Sequence, residues 1–337
     1  WNEWAHDIKN REHGAMEHYR NELADDIEYH NFIQFLFFKQ WGDVKRYANE
    51  NGIKIIGDIP IFVAADSSDA WANPEIFLFD EERKPVKVAG VPPDYFSATG
   101  QLWGNPLYNW QKLKETNYSW WVERVRANLS TCDIIRIDHF RGFEAYWAVP
   151  YGDDTAINGQ WEPGPGIDLF NAIKSQLGEL PIIAEDLGLM TQGVIDLREA
   201  TGFPGMKILG FAFDSGEEND YLPHTYTKNC VVYTGTHDND TLIGWFQKAK
   251  EEDRQFARDY LNSRSDDEIH WDAIRGAWSS VANMAISPVQ DFLGLGSEAR
   301  INTPGVAAGN WQWRLKHGVL TDELAERIAK LTKVYSR

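Results

Sequence analysis

The fold of this chain follows from one stretch, Ile134-Ile135-Arg136-Ile137-Asp138-His139-Phe140-Arg141-Gly142. Its branched apolar residues are typical of a buried strand, whose side chains point alternately to opposite faces. If Ile135 and Ile137 pack on helices, then Arg136 and Asp138 share the other face, with Asp138 at the strand end. A guanidinium that close keeps a carboxylate ionised, as a nucleophile requires. Taken alone, the stretch favours a purely structural Arg–Asp pair over a catalytic one.

Similar apolar segments recur along the chain and alternate with helix-like segments. The strand-like segments are 53–60, 133–138, 181–185, 206–213, 230–236 and 285–292. The helix-like segments are 118–129, 166–177, 191–200, 241–260 and 271–283. Such alternation implies parallel strands joined by helical crossovers. We therefore predict an α/β fold, a (β/α)₈ TIM barrel with loop insertions whose first two strands are missing from this chain.

Residues 1–337 are predicted to be the C-terminal portion of one catalytic barrel domain. In this portion, 53–60 is a barrel strand and 131–337 supplies the remaining strands and helices. Residues 1–50 predict a helical segment, with an apolar stripe around Phe32–Phe38 broad enough to suggest burial on more than one side. Residues 63–130 form an insertion. Its aromatic loop 90–106 lacks the periodicity of a helix or a strand. This favours a structured loop that covers a substrate site.

Charge and composition restrict the partners of this chain. It has 33 Lys plus Arg against 51 Asp plus Glu, a net charge of −18, which disfavours nucleic acid and anionic membranes. No apolar run is long enough to span a bilayer. The two cysteines, Cys132 and Cys230, exclude a disulfide scaffold and suit a reducing compartment. The 15 Trp, 13 Tyr and 17 Phe suit sugar rings and ordinary cores equally well.

Acidic residues stand where the predicted strands end, which is the face that carries the chemistry of TIM barrels. Asp58, Asp138, Glu185 and Asp238 occupy these positions. A partly apolar setting would raise the pKa of Glu185 and make it a general acid, although a solvated loop residue is the simpler interpretation. The polar segment 236–241 is costly to desolvate unless it binds something, but part of it could only cap a helix.

No motif for a nucleotide or metal accompanies these carboxyl groups, so no cofactor and no metal are expected. Two carboxyl groups that flank one bond are the usual requirement for glycosidic cleavage. Asp138, Glu185 and Asp238 end three strands, and together they favour chemistry on a sugar more than each of them does alone.

Several segments resemble glycoside hydrolase family 77, the 4-α-glucanotransferases or amylomaltases, which are relatives of the α-amylases. The matching segments are 56–63, 90–106, 136–142, 184–188, 236–241, 295–305 and 309–311. The resemblance implies that Asp138 is the nucleophile, Glu185 the general acid and base, and Asp238 the third carboxylate, which binds the distorted sugar. The substrate contacts that it implies are Arg136, His139, His237, Asp58, Asp94, Tyr95, Phe96, Gln101, Trp103, Phe211 and Asn310.

The implied reaction moves α-1,4-glucan segments from a donor malto-oligosaccharide to an acceptor glucan or glucose, with retention of configuration. The expected partners are malto-oligosaccharides, maltodextrins or other α-1,4-glucans, with no nucleic acid and no membrane, and the oligomeric state stays open. The expected location is the cytoplasm, or a plastid in a plant. Two alternatives remain at this point, an α-amylase-type hydrolase and an inactive glucan-binding fragment.

Overall fold

The computed structural model describes residues 1–94, 97–188, 190–214, 219–306 and 308–337. It consists of two compact units, Trp1–Phe203 and Pro204–Arg337. The strands of the first unit are β1 Ile56–Ile59, β2 Lys87–Val91, β3 Gln101–Pro106, β4 Ile134–Ile137, β5 Ala145–Pro150, β6 Gln160–Pro163 and β7 Ile182–Ala184. Its helices are α1 His6–Lys9, α2 His13–Glu22, α3 Ala24–Glu50, α4 Ser68–Ala72, α5 Trp110–Glu115, α6 Ser119–Thr131, α7 Ile167–Leu177 and α8 Gln192–Thr201.

The first unit contains a parallel sheet of order β1-β4-β7. Its middle strand, β4, is the stretch from which the fold was predicted, and Ile135 and Ile137 are buried in the core as expected. The helix α6 packs on β1 and β4. Its residues Trp121, Val122 and Val125 recur at helical spacing and join that core. The parallel pairing of these three predicted strands is confirmed.

An antiparallel sheet of order β3-β2-β5-β6 accompanies the parallel one. Its first two strands lie within 63–130, where the sequence indicates an irregular insertion. The strands were missed because glycine and proline interrupt them and weaken the β signal. In addition, the register shifts between Val88 and Gly90, so side-chain alternation is not continuous.

The long helix α3 differs from the prediction for the stripe around Phe32–Phe38. None of its residues is buried, although the helix packs against α2 and α6 in the part of the chain that the structure describes. Trp41 fastens it to the end of α6, because its Nε1–H donates to the carbonyl of Thr131 at 2.7 Å. A broad apolar stripe indicates that burial would be favourable, but periodicity contains no information on the covering partner.

The second unit has its own parallel sheet, of order β10-β9-β8. Its strands are β8 Gly205–Ile208, β9 Cys230–Tyr233 and β10 Met284–Ile286. Its helices are α9 Leu242–Lys248, α10 Glu251–Leu261, α11 Ile269–Trp278, α12 Val289–Phe292 and α13 Asp322–Val334. Each unit's parallel sheet therefore has three strands in the described residues, and neither closes into a barrel by itself.

The predicted strand 285–292 is wrong beyond its first residues. β10 ends at Ile286, and Val289–Phe292 forms the short helix α12. Pro288 precedes that helix, because a residue without an N–H cannot continue the strand ladder but suits a helix start. The predicted strand 206–213 likewise ends at Ile208 and passes into one 3₁₀ turn.

The predicted helix 241–260 is two helices. α9 begins after Thr241, whose side-chain oxygen accepts the N–H of Gly244 at 3.0 Å, and it ends before an extended Ala249. α10 then begins with three acidic residues, which interact favourably with a helix N-terminus. Apolar periodicity runs across the break, and so the pattern alone gives one helix.

No helix in the described ranges combines the length and the apolar character needed to cross a membrane. Both cysteines, Cys132 and Cys230, are buried free thiols.

The parallel strands β1, β4 and β7 end at the same edge of their sheet in the first unit, and β9 ends at an edge of the sheet in the second unit.

We expect the core around β4 to be decisive for stability. Ile135→Ala should lower the free energy of unfolding by about 2–5 kcal/mol, because the fully buried side chain leaves a cavity. Urea denaturation followed by circular dichroism measures the change. The control Ile157→Ala removes the same atoms from a side chain that is 52% exposed and should change stability by less than about 0.5 kcal/mol. Equal losses in the two variants would contradict the assignment of the core.

Candidate active site

Three acidic side chains lie at the carboxyl ends of the first unit's parallel strands. Asp58 belongs to β1, where it pairs directly with Arg136 of β4. Asp138 follows β4, and Glu185 follows β7. The backbone continues the ladder past the strands, because the N–H of Glu185 donates to Ile137 at 2.9 Å. Parallel register therefore brings together three residues that are far apart in sequence.

Arg136 links two of these carboxylates. Its Nη1 donates to both oxygens of Asp58 at 2.8 Å and to Oδ1 of Asp138 at 2.9 Å. Burial would lower the pKa of Arg136, but the carboxylates of Asp58, Asp138 and Glu185 outweigh burial and raise it. A permanent cation at this distance favours the ionised form of Asp138. The Arg–Asp pair expected from sequence is thus a three-membered network.

Glu185 has a different environment. Its Oε2 accepts the N–H of His139 at 2.7 Å, and its Oε1 accepts the N–H of Leu187 at 2.9 Å. Burial raises the pKa of Glu185 to about 7, and the charge of Asp138 adds to the rise, whereas Arg136 and the two N–H groups oppose it. A substantial fraction of Glu185 is therefore protonated at neutral pH. Two neighbouring carboxyl groups, one against a cation and the other with a raised pKa, can act as a nucleophile and a general acid.

His139 joins the two carboxyl groups through its backbone. It adopts a left-handed conformation with φ 51° and ψ 48°, which is unfavourable for a residue other than glycine and directs its N–H to Glu185. Gly142 allows this arrangement, since a Cβ there would lie 3.0 Å from Cδ2 of His139. Burial, helped by the nearby Arg141, lowers the pKa of His139 to about 3. The neutral ring can both donate and accept a hydrogen bond.

The predicted substrate loop contributes an indole beside this ring. Trp103 meets His139 edge to face at 4.8 Å and is 37% exposed. Its Nε1–H donates to Oε1 of Gln101 at 3.1 Å. Asp94 closes a turn, in which its Oδ1 accepts the N–H of Ser97 at 2.8 Å. The predicted contacts Tyr95 and Phe96 lie outside the described residues.

In the second unit, the predicted third carboxylate follows β9. Oδ1 of Asp238 accepts from Nδ2 of Asn302 at 2.6 Å, and Nε2 of His237 lies 3.2 Å from its Oδ2. The carboxylate is 39% exposed. Sequence reasoning assigned no role to Asn302, although it lies in one of the segments that carry the resemblance. From the sequence, Asn302 could have been recognised only as a member of the segment 295–305.

The two other residues predicted in this unit occupy different settings. Phe211 follows β8, is 43% exposed and packs edge to face on Tyr221 at 5.6 Å. Asn310 braces its own loop, because its Oδ1 accepts the N–H of Thr303 at 3.0 Å and its Nδ2 donates to Val306 at 2.8 Å. A glucan contact by Asn310 remains a prediction.

Sequence reasoning also missed Asp291, which supports the loop after β9. This carboxyl group is 1% exposed and accepts from Oγ1 of Thr234 at 2.6 Å and from the N–H of Leu242 at 2.9 Å. Burial raises the pKa of Asp291 to about 6. The sequence did not indicate this role of Asp291, because the pattern of 285–292 predicts a strand.

Within the described ranges, no cluster of three or more His, Cys, Asp or Glu is arranged to hold a metal ion.

Comparison with known proteins confirms the resemblance seen in the motifs. A family model described as glycoside hydrolase 77, 4-alpha-glucanotransferase, matches residues 1–321. A 4-alpha-glucanotransferase of Clostridium butyricum is 54% identical over 100% of this chain and 70% of its own length. One of Solanum tuberosum, named chloroplastic/amyloplastic, is 46% identical over 99% of this chain and 58% of its own length.

A solved structure is similar over the whole chain. The amylomaltase from Streptococcus agalactiae, in complex with acarbose, has a TM-score of 0.97 and 42% identity, and the match covers 100% of this chain and 68% of that chain. The fold is accordingly of the TIM-barrel type. The chain spans about two thirds of the length of the Clostridium and Streptococcus proteins.

The electrostatic coupling between the two carboxyl groups of the first unit can be measured. Asp138→Asn removes a negative charge that raises the pKa of Glu185, so the pKa should fall below about 7 while burial keeps it above the ordinary value. Carbon-13 NMR of labelled glutamate measures the titration, and Glu185→Gln identifies the signal. The control Asp196→Asn neutralises an exposed carboxylate of the same unit and should leave the titration unchanged. An unchanged midpoint in Asp138→Asn would show that the two groups are not coupled.

Proposed function

This chain belongs to the glycoside hydrolase 77 family of 4-alpha-glucanotransferases, whose reaction is the transfer of α-1,4-glucan segments, and we propose that Asp138, Glu185 and Asp238 carry out that transfer by a retaining double displacement. The observation that carries the assignment is the contrast between two neighbouring carboxyl groups. Asp138 is held against the Arg136 cation, whereas burial and the charge of Asp138 raise the pKa of Glu185 to about 7.

In the first half-reaction, a carboxylate oxygen of Asp138 attacks the anomeric carbon of the donor sugar. The bond from that carbon to the glycosidic oxygen breaks, and Glu185 gives its proton to the departing oxygen. A covalent glucosyl–Asp138 ester results, with inverted configuration. The raised pKa of Glu185 supplies the proton at neutral pH, and the Arg136 contact keeps Asp138 ready to attack.

In the second half-reaction, the ionised Glu185 removes a proton from the acceptor hydroxyl. The acceptor oxygen attacks the same anomeric carbon, and the bond to Asp138 breaks. Two inversions give net retention of the α-1,4 linkage, and Glu185 and Asp138 return to their starting protonation states. His139, neutral at working pH, is suited to hydrogen-bond a hydroxyl of the sugar. Asp238 and His237 are proposed to bind further hydroxyls of the same ring as it flattens.

The proposed substrates are malto-oligosaccharides and maltodextrins, and the proposed location is the cytoplasm, or a plastid in a plant. Transfer requires that an acceptor sugar, and not water, reaches the glucosyl–enzyme intermediate. Trp103 is suited to this task, because an exposed indole provides an apolar surface on which a sugar ring can stack beside His139.

An assay with maltotriose tests the reaction and the three carboxylates together. The enzyme should release glucose and form longer maltodextrins while the number of reducing ends stays constant. Glu185→Gln should lower kcat by about 10²–10⁴-fold, as expected for loss of a general acid, and Asp138→Asn and Asp238→Asn should abolish transfer. The control Glu199→Gln changes an exposed residue and should retain activity. Rising numbers of reducing ends would instead identify a hydrolase, and binding of maltoheptaose without turnover would identify a glucan-binding protein.

The role of the loop is tested by its products. Trp103→Ala should raise the ratio of hydrolysis to transfer on maltotriose, because water gains access to the intermediate while the acceptor loses its stacking surface. The ratio of reducing ends to glucose released is the measurement. The matched control is Trp4→Ala, which removes an indole that is 49% exposed near the start of the chain. A ratio that does not change in Trp103→Ala would exclude the loop as the cause of transfer.

A further inference from the structure

The second unit contains a set of hydrogen bonds that converge on Asp238. Nδ2 of Asn302 donates to the carboxylate Oδ1 at 2.6 Å, and Nη2 of Arg300 donates to the main-chain carbonyl of the same residue at 2.6 Å. One partner thus holds the side chain and the other holds the backbone. From this geometry we propose that Asn302 is a positioning residue for the transfer reaction, which orients the Asp238 carboxylate toward the sugar, with Arg300 fixing the backbone beneath it.

Two further contacts join the same short segments. Nε of Arg300 donates to the carbonyl of Asn302 at 2.8 Å, so the guanidinium bridges the carbonyls of residues 238 and 302. The N–H of Asn302 donates to the carbonyl of His237 at 3.1 Å. A planar guanidinium that bridges two carbonyls restricts both segments, because its donors are fixed in one plane. Residues 237–238 and 300–302 therefore form one braced unit, which we call the Asp238 clamp.

The surroundings hold the clamp from two sides. The N–H of Trp311 donates to Ile301 at 2.8 Å, and its ring lies 5.2 Å from that of His237. On the other side, Oδ2 of Asp240 accepts from Oγ of Ser297 at 2.7 Å, which adds a fourth hydrogen bond between the same two loops. A carboxylate supported in this way has few orientations available.

The position of Asn302 connects the clamp to catalysis. A half-buried Asn that donates to a carboxylate forms a charge-assisted hydrogen bond, which is stronger than a neutral one. The Asp238 side chain remains 39% exposed, so sugar hydroxyls can reach it beside the contacts from Asn302 and His237. If these hydroxyls bind most strongly when the ring is flattened, orientation of Asp238 affects the transition state more than the ground state. Loss of Asn302 should then appear in kcat and not in KM.

This inference rests on the proposed function of Asp238, and the variants are chosen to separate the two. Asn302→Ala removes the donor, and Asn302→Asp keeps the size of the side chain but replaces the donor with a second carboxylate. Asn302→Gln keeps an amide donor on a longer side chain. The matched control is Asn283→Ala, an exposed asparagine of the same unit. Maltotriose kinetics, thermal melting and acarbose binding by calorimetry are measured for each variant.

We expect Asn302→Ala to lower kcat by about 10- to 100-fold, and Asn302→Asp by at least as much, while KM for maltotriose changes by less than about twofold. Acarbose, whose unsaturated ring is flattened, should lose affinity in parallel with kcat/KM. Asn302→Gln should recover part of the activity. Asn283→Ala should behave as the unchanged protein, because its side chain lies outside the clamp.

Each other outcome contradicts the proposal. A kcat within twofold of the unchanged protein in Asn302→Asp would overturn it, as would a loss confined to KM. If Asn302→Ala does not melt cooperatively, Asn302→Asp decides, and failure of both variants to fold would make Asn302 a folding determinant only. An active Asp238→Asn would overturn the role of Asp238 itself. An inactive Asp238→Asn beside fully active Asn302 variants would overturn the clamp alone.

Discussion

The buried guanidinium of Arg136 is the constraint on which the first unit's site depends. A cation in this position is tolerated only if carboxylates compensate its desolvation, and Asp58 and Asp138 do so across two neighbouring strands. The bond to both oxygens of Asp58 anchors the guanidinium, so that its contact with Asp138 is held in place. The register of β1 against β4 is thus coupled to the ionisation of the proposed nucleophile. Asp58, Arg136 and Asp138 therefore contribute both to the contact between the strands and to the proposed chemistry.

The different environments of Asp138 and Glu185 explain how two carboxyl groups in one site can have opposite tasks. Asp138 contacts a cation, whereas Glu185 accepts two backbone N–H groups. These N–H groups favour the ionised form, but burial and the charge of Asp138 outweigh them. The residue that donates one of the two bonds, His139, has a left-handed backbone. An unfavourable conformation is therefore found at a residue that contacts the proposed general acid.

The second unit supports its proposed catalytic carboxylate by a different principle. Asp238 is oriented by an amide and by a backbone contact, and Nε2 of His237 lies 3.2 Å from its other carboxylate oxygen. Asp291 supports the same loop through Thr234 and Leu242. Buried polar networks of this kind are specific when their members are satisfied, and the loss of one member affects the others. The loop after β9 is therefore held by residues distant in sequence.

The sequence by itself determined the parallel strands, the strand-end positions of Asp58, Asp138, Glu185 and Asp238, and the family. Branched apolar stretches and motif spacing are local patterns, which can be identified in the sequence without the tertiary structure. Only the tertiary structure decided that Arg136 joins two carboxylates, that His139 turns its N–H to Glu185 and that Asn302 holds Asp238. It also replaced the end of the predicted strand 285–292 with a helix and left the stripe of α3 exposed. The physical reason is that ionisation and orientation depend on neighbours across strands and loops, and a linear pattern does not contain those neighbours.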